Sequence, residues 1–193
     1  SWETTKEKIV FPKGKTWQDY VRDTRLEISC GEAPYLVSRY DTTTGEFIKI
    51  ENRIGILDRK LRVVNENLDS INEWLKAVET AYKNTYGFEW QGDSLLLARE
   101  ALLITFIENF THKFETEPSL ETIQNIAQII SWNIWQMDGL KGVIPNSCKD
   151  ETIEIPDFFE TRTEIKKCKG CETQNIKSHN GIYCNIMNWD IEK

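Results

Sequence analysis

The chain has 193 residues, 39% hydrophobic and 28% charged, with a net charge of −7. That length supports one domain, or one domain with a small appendage, and can bury a core without disulfide staples. The composition excludes a disordered or collagen-like chain, the acidic balance excludes a generic polybasic nucleic-acid coat, and no apolar run approaches the roughly 18 residues that span a bilayer. The chain begins at Ser1 with no charged-then-apolar signal segment. It therefore reads as a fragment or a trimmed chain, from a reducing compartment, the cytoplasm.

Phe11–Lys15 predicts a turn, and Thr16 a cap for a short helix through Tyr20. Arg25–Ser29 predicts a strand ended by Cys30-Gly31. Asp41–Arg53 is turn-rich and reads as an insertion with a short strand over Phe47–Ile50. Apolar spacing of three and four predicts a helix over Leu57–Val64. Ser70 with Glu73 predicts a capping box for the next helix, whose Ile71, Trp74, Leu75, Val78 and Tyr82 share a face. Tyr86–Trp90 predicts a strand, Ser94 to about Lys113 a helix, and Pro118-Ser119 the start of another through Ile130. Trp132–Gly139 reads as a strand or helix end followed by a turn. Trp74, Tyr82, Phe106, Phe110, Trp132 and Trp135 recur at helical spacing and read as core. This alternation predicts an α/β layered fold with a mainly parallel sheet over residues 1–150. Residues 150–164 are acidic and turn-prone, and 151–193 read as a small cysteine-rich tail with five lysines against three acids from residue 165 onward.

The most informative run is Leu26-Glu27-Ile28-Ser29-Cys30-Gly31-Glu32-Ala33-Pro34-Tyr35-Leu36. A strand followed by a glycine turn lets backbone amides approach a small ligand at the strand's carboxyl end. The run resembles the S-adenosylmethionine-binding motif of bacterial restriction–modification DNA adenine-N6 methyltransferases, with Glu27, Cys30, Gly31, Tyr35 and Leu36 matching. Ile28 stands where that motif has proline, and Ala33 where it has a second glycine. An alanine held at positive φ there costs on the order of 1 kcal/mol. Thr85-Tyr86-Gly87-Phe88-Glu89-Trp90 resembles the family's next strand, which makes Glu89 the carboxylate that accepts from the ribose hydroxyls. Asn133–Leu140 resembles the third motif, in which Asp138 contacts the adenine amino group. Leu57–Val64 and Ile130–Asp138 are similar to the family's methylase subunits as well. The resemblance implies a Rossmann-like methyltransferase core, S-adenosylmethionine as cofactor, double-stranded DNA as partner and, through a restriction–modification assembly, another methylase or restriction subunit. The family's Asn/Asp-Pro-Pro-aromatic tetrapeptide is absent, since none of the five prolines are adjacent, so no catalytic residue is assigned.

Cys168-Lys169-Gly170-Cys171, followed by His179 and Cys184, offers three thiolates and one imidazole, a donor set that suits tetrahedral Zn²⁺. The other reading is two buried cysteines, one reactive thiol and a surface histidine. Cys148 has no sequence neighbour of that kind and reads as inert, and His112 reads as a helix-end or surface residue. Two functions follow: an S-adenosylmethionine-dependent adenine methyltransferase-like enzyme or subunit, or a non-catalytic accessory or DNA-binding module on a degenerate core with a structural zinc site.

Overall fold

Alternation of apolar and polar positions builds a small parallel sheet and a helical layer in the computed structural model, which describes residues 9–156 and 161–189. The chain runs α1 (Trp17–Arg22), β1 (Arg25–Ile28), α2 (Ile56–Asn67), α3 (Ile71–Lys83), β2 (Thr85–Glu89), α4 (Gly92–Phe114), α5 (Leu120–Asn133), β3 (Ile134–Gln136), then β4 (Glu151–Pro156), β5 (Thr161–Lys166) and a short α6 (Lys169–Thr173). β1, β2 and β3 form a parallel sheet in that order, with Glu27 opposite Gly87 and Gly87 opposite Ile134. Two helices lie between each pair of strands, as a parallel connection requires.

Local chemistry sets the helix ends. Thr16 Oγ1 accepts from the Asp19 amide and Asp19 returns a bond to the Thr16 amide, so the expected cap of α1 is a full capping box. Ser119 Oγ accepts from Thr122 at the start of α5. The capping box expected at Ser70 does not form, because the Ser70 side chain makes no cap bond. Asp58 instead anchors the start of α2, its Oδ2 accepting from the Ser38 and Gly55 amides at 2.6 and 3.2 Å.

The core lies between the helices and one face of the sheet. Trp74, Tyr82, Phe106 and Phe110 are buried there, as their spacing predicts, with Trp74 edge-on to Phe110 and Phe114. Trp132 and Trp135 differ: they lie half-buried outside it, their rings tilted at 58° with centroids 6.3 Å apart. On the sheet's other face Tyr86 Oη donates to the Met187 carbonyl, where the C-terminal tail crosses. Leu26 and Ile28 remain 47% and 51% exposed.

Two segments depart from the sequence reading. Residues 47–50 are not a strand; Phe47 makes a single bridge to Tyr40, and a 3-10 turn follows over Ile50–Asn52. Residues 151–166 are not simply turn-prone. β4 and β5 form an antiparallel ribbon from Glu151↔Lys166 to Pro156↔Thr161, and the described side chains of both strands are exposed. Thr152-Ile153-Glu154-Ile155 and Arg162-Thr163-Glu164-Ile165 are rich in β-branched residues, which favour the extended chain over a turn.

Candidate cofactor cleft and metal centre

The first site lies at the carboxyl end of the parallel sheet. Glu27 and Glu89 are two registers apart on neighbouring strands, so their side chains leave the same face. Between β1 and the following segment the chain reverses through Ser29, Gly31 and Ala33, all at positive φ (62°, 55° and 65°). Gly31 meets nothing where a Cβ would stand, so backbone conformation rather than space is what glycine supplies. Ala33 adopts the left-handed conformation and is fully buried. Its amide donates to the Cys30 carbonyl at 2.8 Å, and its own carbonyl accepts from Leu36 and Val37, which holds the strained residue in place.

Glu89 organises this turn. Its Oε2 accepts from the Gly31 amide at 2.7 Å and its Oε1 from the Gln91 amide at 2.9 Å, so one carboxylate joins the turns that follow β1 and β2. Glu89 is 8% exposed. Cys30 is buried beside both acids. Burial first, then the charges of Glu27 and Glu89, push its thiol up to about 12, which keeps it an inert, packed side chain. Burial raises the Glu27 carboxyl to about 7, and its Oε2 is enclosed without a hydrogen-bond partner. A cleft of about 430 Å³ opens here, lined by Glu27, Cys30, Gly31, Glu32, Tyr35 and Tyr40 among others, with no lysine or arginine among the described residues of its lining.

Asp138 stands at the end of β3, buried, and shapes a turn. Its Oδ1 accepts from the Leu140 and Lys141 amides, and Lys141 Nζ lies 3.6 Å from its Oδ2. Of the five residues the motifs single out, Glu27, Cys30 and Gly31 line the cleft itself. Glu89 reaches it through Gly31, and Asp138 lies at the neighbouring strand end without lining it.

The second site is a Cys3His group in the tail. Cys148, Cys168, Cys171 and His179 place one donor atom each within 4.8 Å of one another. Cys148 Sγ is 3.1 Å from Cys168 Sγ, 3.5 Å from Cys171 Sγ and 3.4 Å from His179 Nδ1; Cys168 and Cys171 are each 3.7 Å from that nitrogen. A tetrahedral zinc ion with ordinary bond lengths needs sulfur–sulfur separations of roughly 3.8 Å and sulfur–nitrogen separations of roughly 3.6 Å. A disulfide needs about 2.05 Å, so these are four separate donors. Burial opposes ionisation of Cys168, but hydrogen bonds from Cys148, from the Cys171 and Asn180 amides and from His179 outweigh it and bring its thiol down to about 6.

Cys184, expected from the sequence as the fourth ligand of this group, is not in it, and Cys148, expected to be inert, takes that place. The Cys184 amide donates to the Gly142 carbonyl, and this turns its Sγ toward the Gln136 carbonyl, 3.6 Å away at the end of β3. Cys148 is brought in by the ribbon, which begins three residues after it and ends two residues before Cys168. The signal that finds Cys148 is the period-two pattern of 152–155 and 162–165, because pairing those strands puts their flanking cysteines together. His112 is exposed in the last turn of α4, as expected. Among the described residues no helix is long and apolar enough to cross a membrane. No family model, curated protein or solved structure matches the chain.

Proposed function

We propose that the carboxyl end of the parallel sheet binds S-adenosylmethionine, and that the chain is a DNA adenine-N6 methyltransferase-like protein, or a subunit of one, in a restriction–modification system. The reading rests on one arrangement: Glu27 and Glu89 flank Cys30 at the ends of β1 and β2, beside a cleft with carboxylates and, among the described residues, no basic side chain in its lining. A phosphate-bearing cofactor is repelled by such a lining. S-adenosylmethionine carries a cationic sulfonium and an ammonium, and suits it. Each Glu89 oxygen accepts one amide and keeps a lone pair for a ribose hydroxyl, while the unpartnered Glu27 Oε2 offers an acceptor to a cationic group. The order β1-β2-β3 is that of half a doubly wound sheet, whose ligands sit beyond the carboxyl ends of the strands.

When bound, the cofactor supplies an electrophilic methyl group. The residues of this chain would hold it: Glu89 its ribose, Gly31 the close backbone approach, and Asp138 the adenine edge. Its partners on this reading are double-stranded DNA, whose target base must leave the stack, and another methylase or restriction subunit that supplies the Asn/Asp-Pro-Pro-aromatic run missing here. The setting is cytoplasmic, in keeping with five free thiols. Calorimetric titration of S-adenosylmethionine, with sinefungin as a control, tests the reading. Saturable binding that weakens at least tenfold in Glu89→Ala is expected, a loss of about 1.4 kcal/mol. No heat at millimolar ligand would leave the second reading, a non-catalytic accessory or DNA-binding module, which the missing tetrapeptide favours.

For the Cys3His group the metal we assign is structural Zn²⁺, because three soft thiolates and an imidazole at these separations match its tetrahedral preference. Protein purified without a histidine tag is expected to carry one equivalent of zinc. Cys148→Ser loses it and Cys184→Ser keeps it. Less than about 0.3 equivalents in the unsubstituted protein with all thiols reduced would remove the assignment.

A further inference from the structure

The turn carrying Asp138 and the segment carrying three of the metal ligands are laced together. Asp138 bridges Val143, and Val143 bridges Tyr183. The Ile144 amide donates to the Ile182 carbonyl at 2.8 Å, the Cys184 amide to Gly142 at 3.2 Å, and the Ile182 amide to Ser147 Oγ at 3.0 Å. Lys149 and Asn180 exchange two further bonds. Asp138 and Val143 are buried, but the second segment lies at the surface: over residues 168–184 only Cys168 and Gly170 are buried. Surface hydrogen bonds compete with water and contribute little net stability each, and a segment without its own core needs another source of order.

The metal group joins the same two segments. Cys148 comes from the first, and Cys168, Cys171 and His179 from the second. At the other end of the first segment, the turn presses on the sheet. A Cβ on Gly139 would stand 2.5 Å from Ile28 Cγ2, so the turn is seated against the end of β1, next to the Gly31 reversal. Lys141 reaches back from the turn to Asp138, its Nζ 3.6 Å from Oδ2.

We infer that the metal ion is a brace for the cofactor cleft: a Zn²⁺ held by Cys148, Cys168, Cys171 and His179 fixes the Asp138 turn against β1, so that metal occupancy sets the affinity of the cleft for its nucleoside ligand. Asp138 is here a residue positioned by the metal centre, and the four ligands act through it. The affinity part rests on the cofactor reading above; the bracing does not.

Amide hydrogen exchange on the full chain separates the two. It is followed in zinc-loaded protein, chelator-stripped protein, Cys148→Ser and Cys184→Ser, with S-adenosylmethionine titrated into each. Stripping and Cys148→Ser are expected to reduce protection of the Asp138, Gly142, Ile144 and Cys184 amides at least tenfold, to leave β2 and α4 protected, and to weaken cofactor binding about tenfold. Cys184→Ser matches the zinc-loaded protein. Unchanged protection after zinc has left would overturn the brace. A loosened turn with unchanged affinity would overturn its coupling to the cleft. A loosened turn in a protein that binds no cofactor even when zinc-loaded would sink the cofactor reading and leave the brace standing.

Discussion

Glu27 bears the electrostatic cost of the cleft. An unfolded glutamate ionises near 4.5, while burial holds this one near 7 in the folded chain. Between those values the folded state retains a proton that the unfolded state has released, so this group's contribution to stability is complete below about 4.5 and is lost as the pH rises through about 7. Glu27→Gln removes the charge that burial penalises. In urea denaturation the variant is expected to gain on the unsubstituted protein at pH 8 and to show no gain at pH 4.5, with weaker binding of a cationic ligand at pH 8. An equal offset at both pH values would show that the carboxyl is not buried as described. Glu27, Gly31 and Glu89 were visible in the sequence because the motif lies within a few residues on a strand and its turn. The Glu89–Gly31 bond was not visible, since it joins residues 58 positions apart.

At the scale of elements, strands and helices with strong local periodicity were legible: α3, β2, α4 and α5 fall where their apolar spacing puts them. The ribbon was not, because its glutamates and threonines suit both an acidic turn and an exposed pair of strands, and its period-two pattern is only four residues long on each strand and marks no core face. Missing the ribbon also meant missing Cys148, whose closeness to Cys168 is created only by the pairing of Glu151 with Lys166. Ser70 failed as a cap for a similar reason, since the competing contacts around a helix end are tertiary. Asn133 shows how such contacts join elements. Its Nδ2 donates to the carbonyls of Tyr82, Lys83 and Thr85, and its Oδ1 accepts from Trp189, so the end of α5 ties the α3–β2 junction to the C-terminal tail.

At the scale of the molecule, three features meet at one end of the sheet: a left-handed turn held by a buried glutamate, a cleft lined by acids, and a Cys3His group laced to the neighbouring strand end. The sheet has three strands, and β1 lies at its edge with Leu26 and Ile28 exposed. The resemblance to adenine methyltransferases rests on the sequence runs Leu26–Leu36, Thr85–Trp90 and Asn133–Leu140, while the zinc assignment stands on the third feature alone. The central claim is that S-adenosylmethionine binds at the carboxyl ends of β1 and β2. Its most direct test is a titration followed by amide resonances of the zinc-loaded chain. The account predicts that the Glu27, Cys30, Gly31 and Gln91 amides shift together and saturate at one affinity, while α3 and the ribbon stay unmoved. Shifts confined to other surfaces, or none at millimolar ligand, would contradict it.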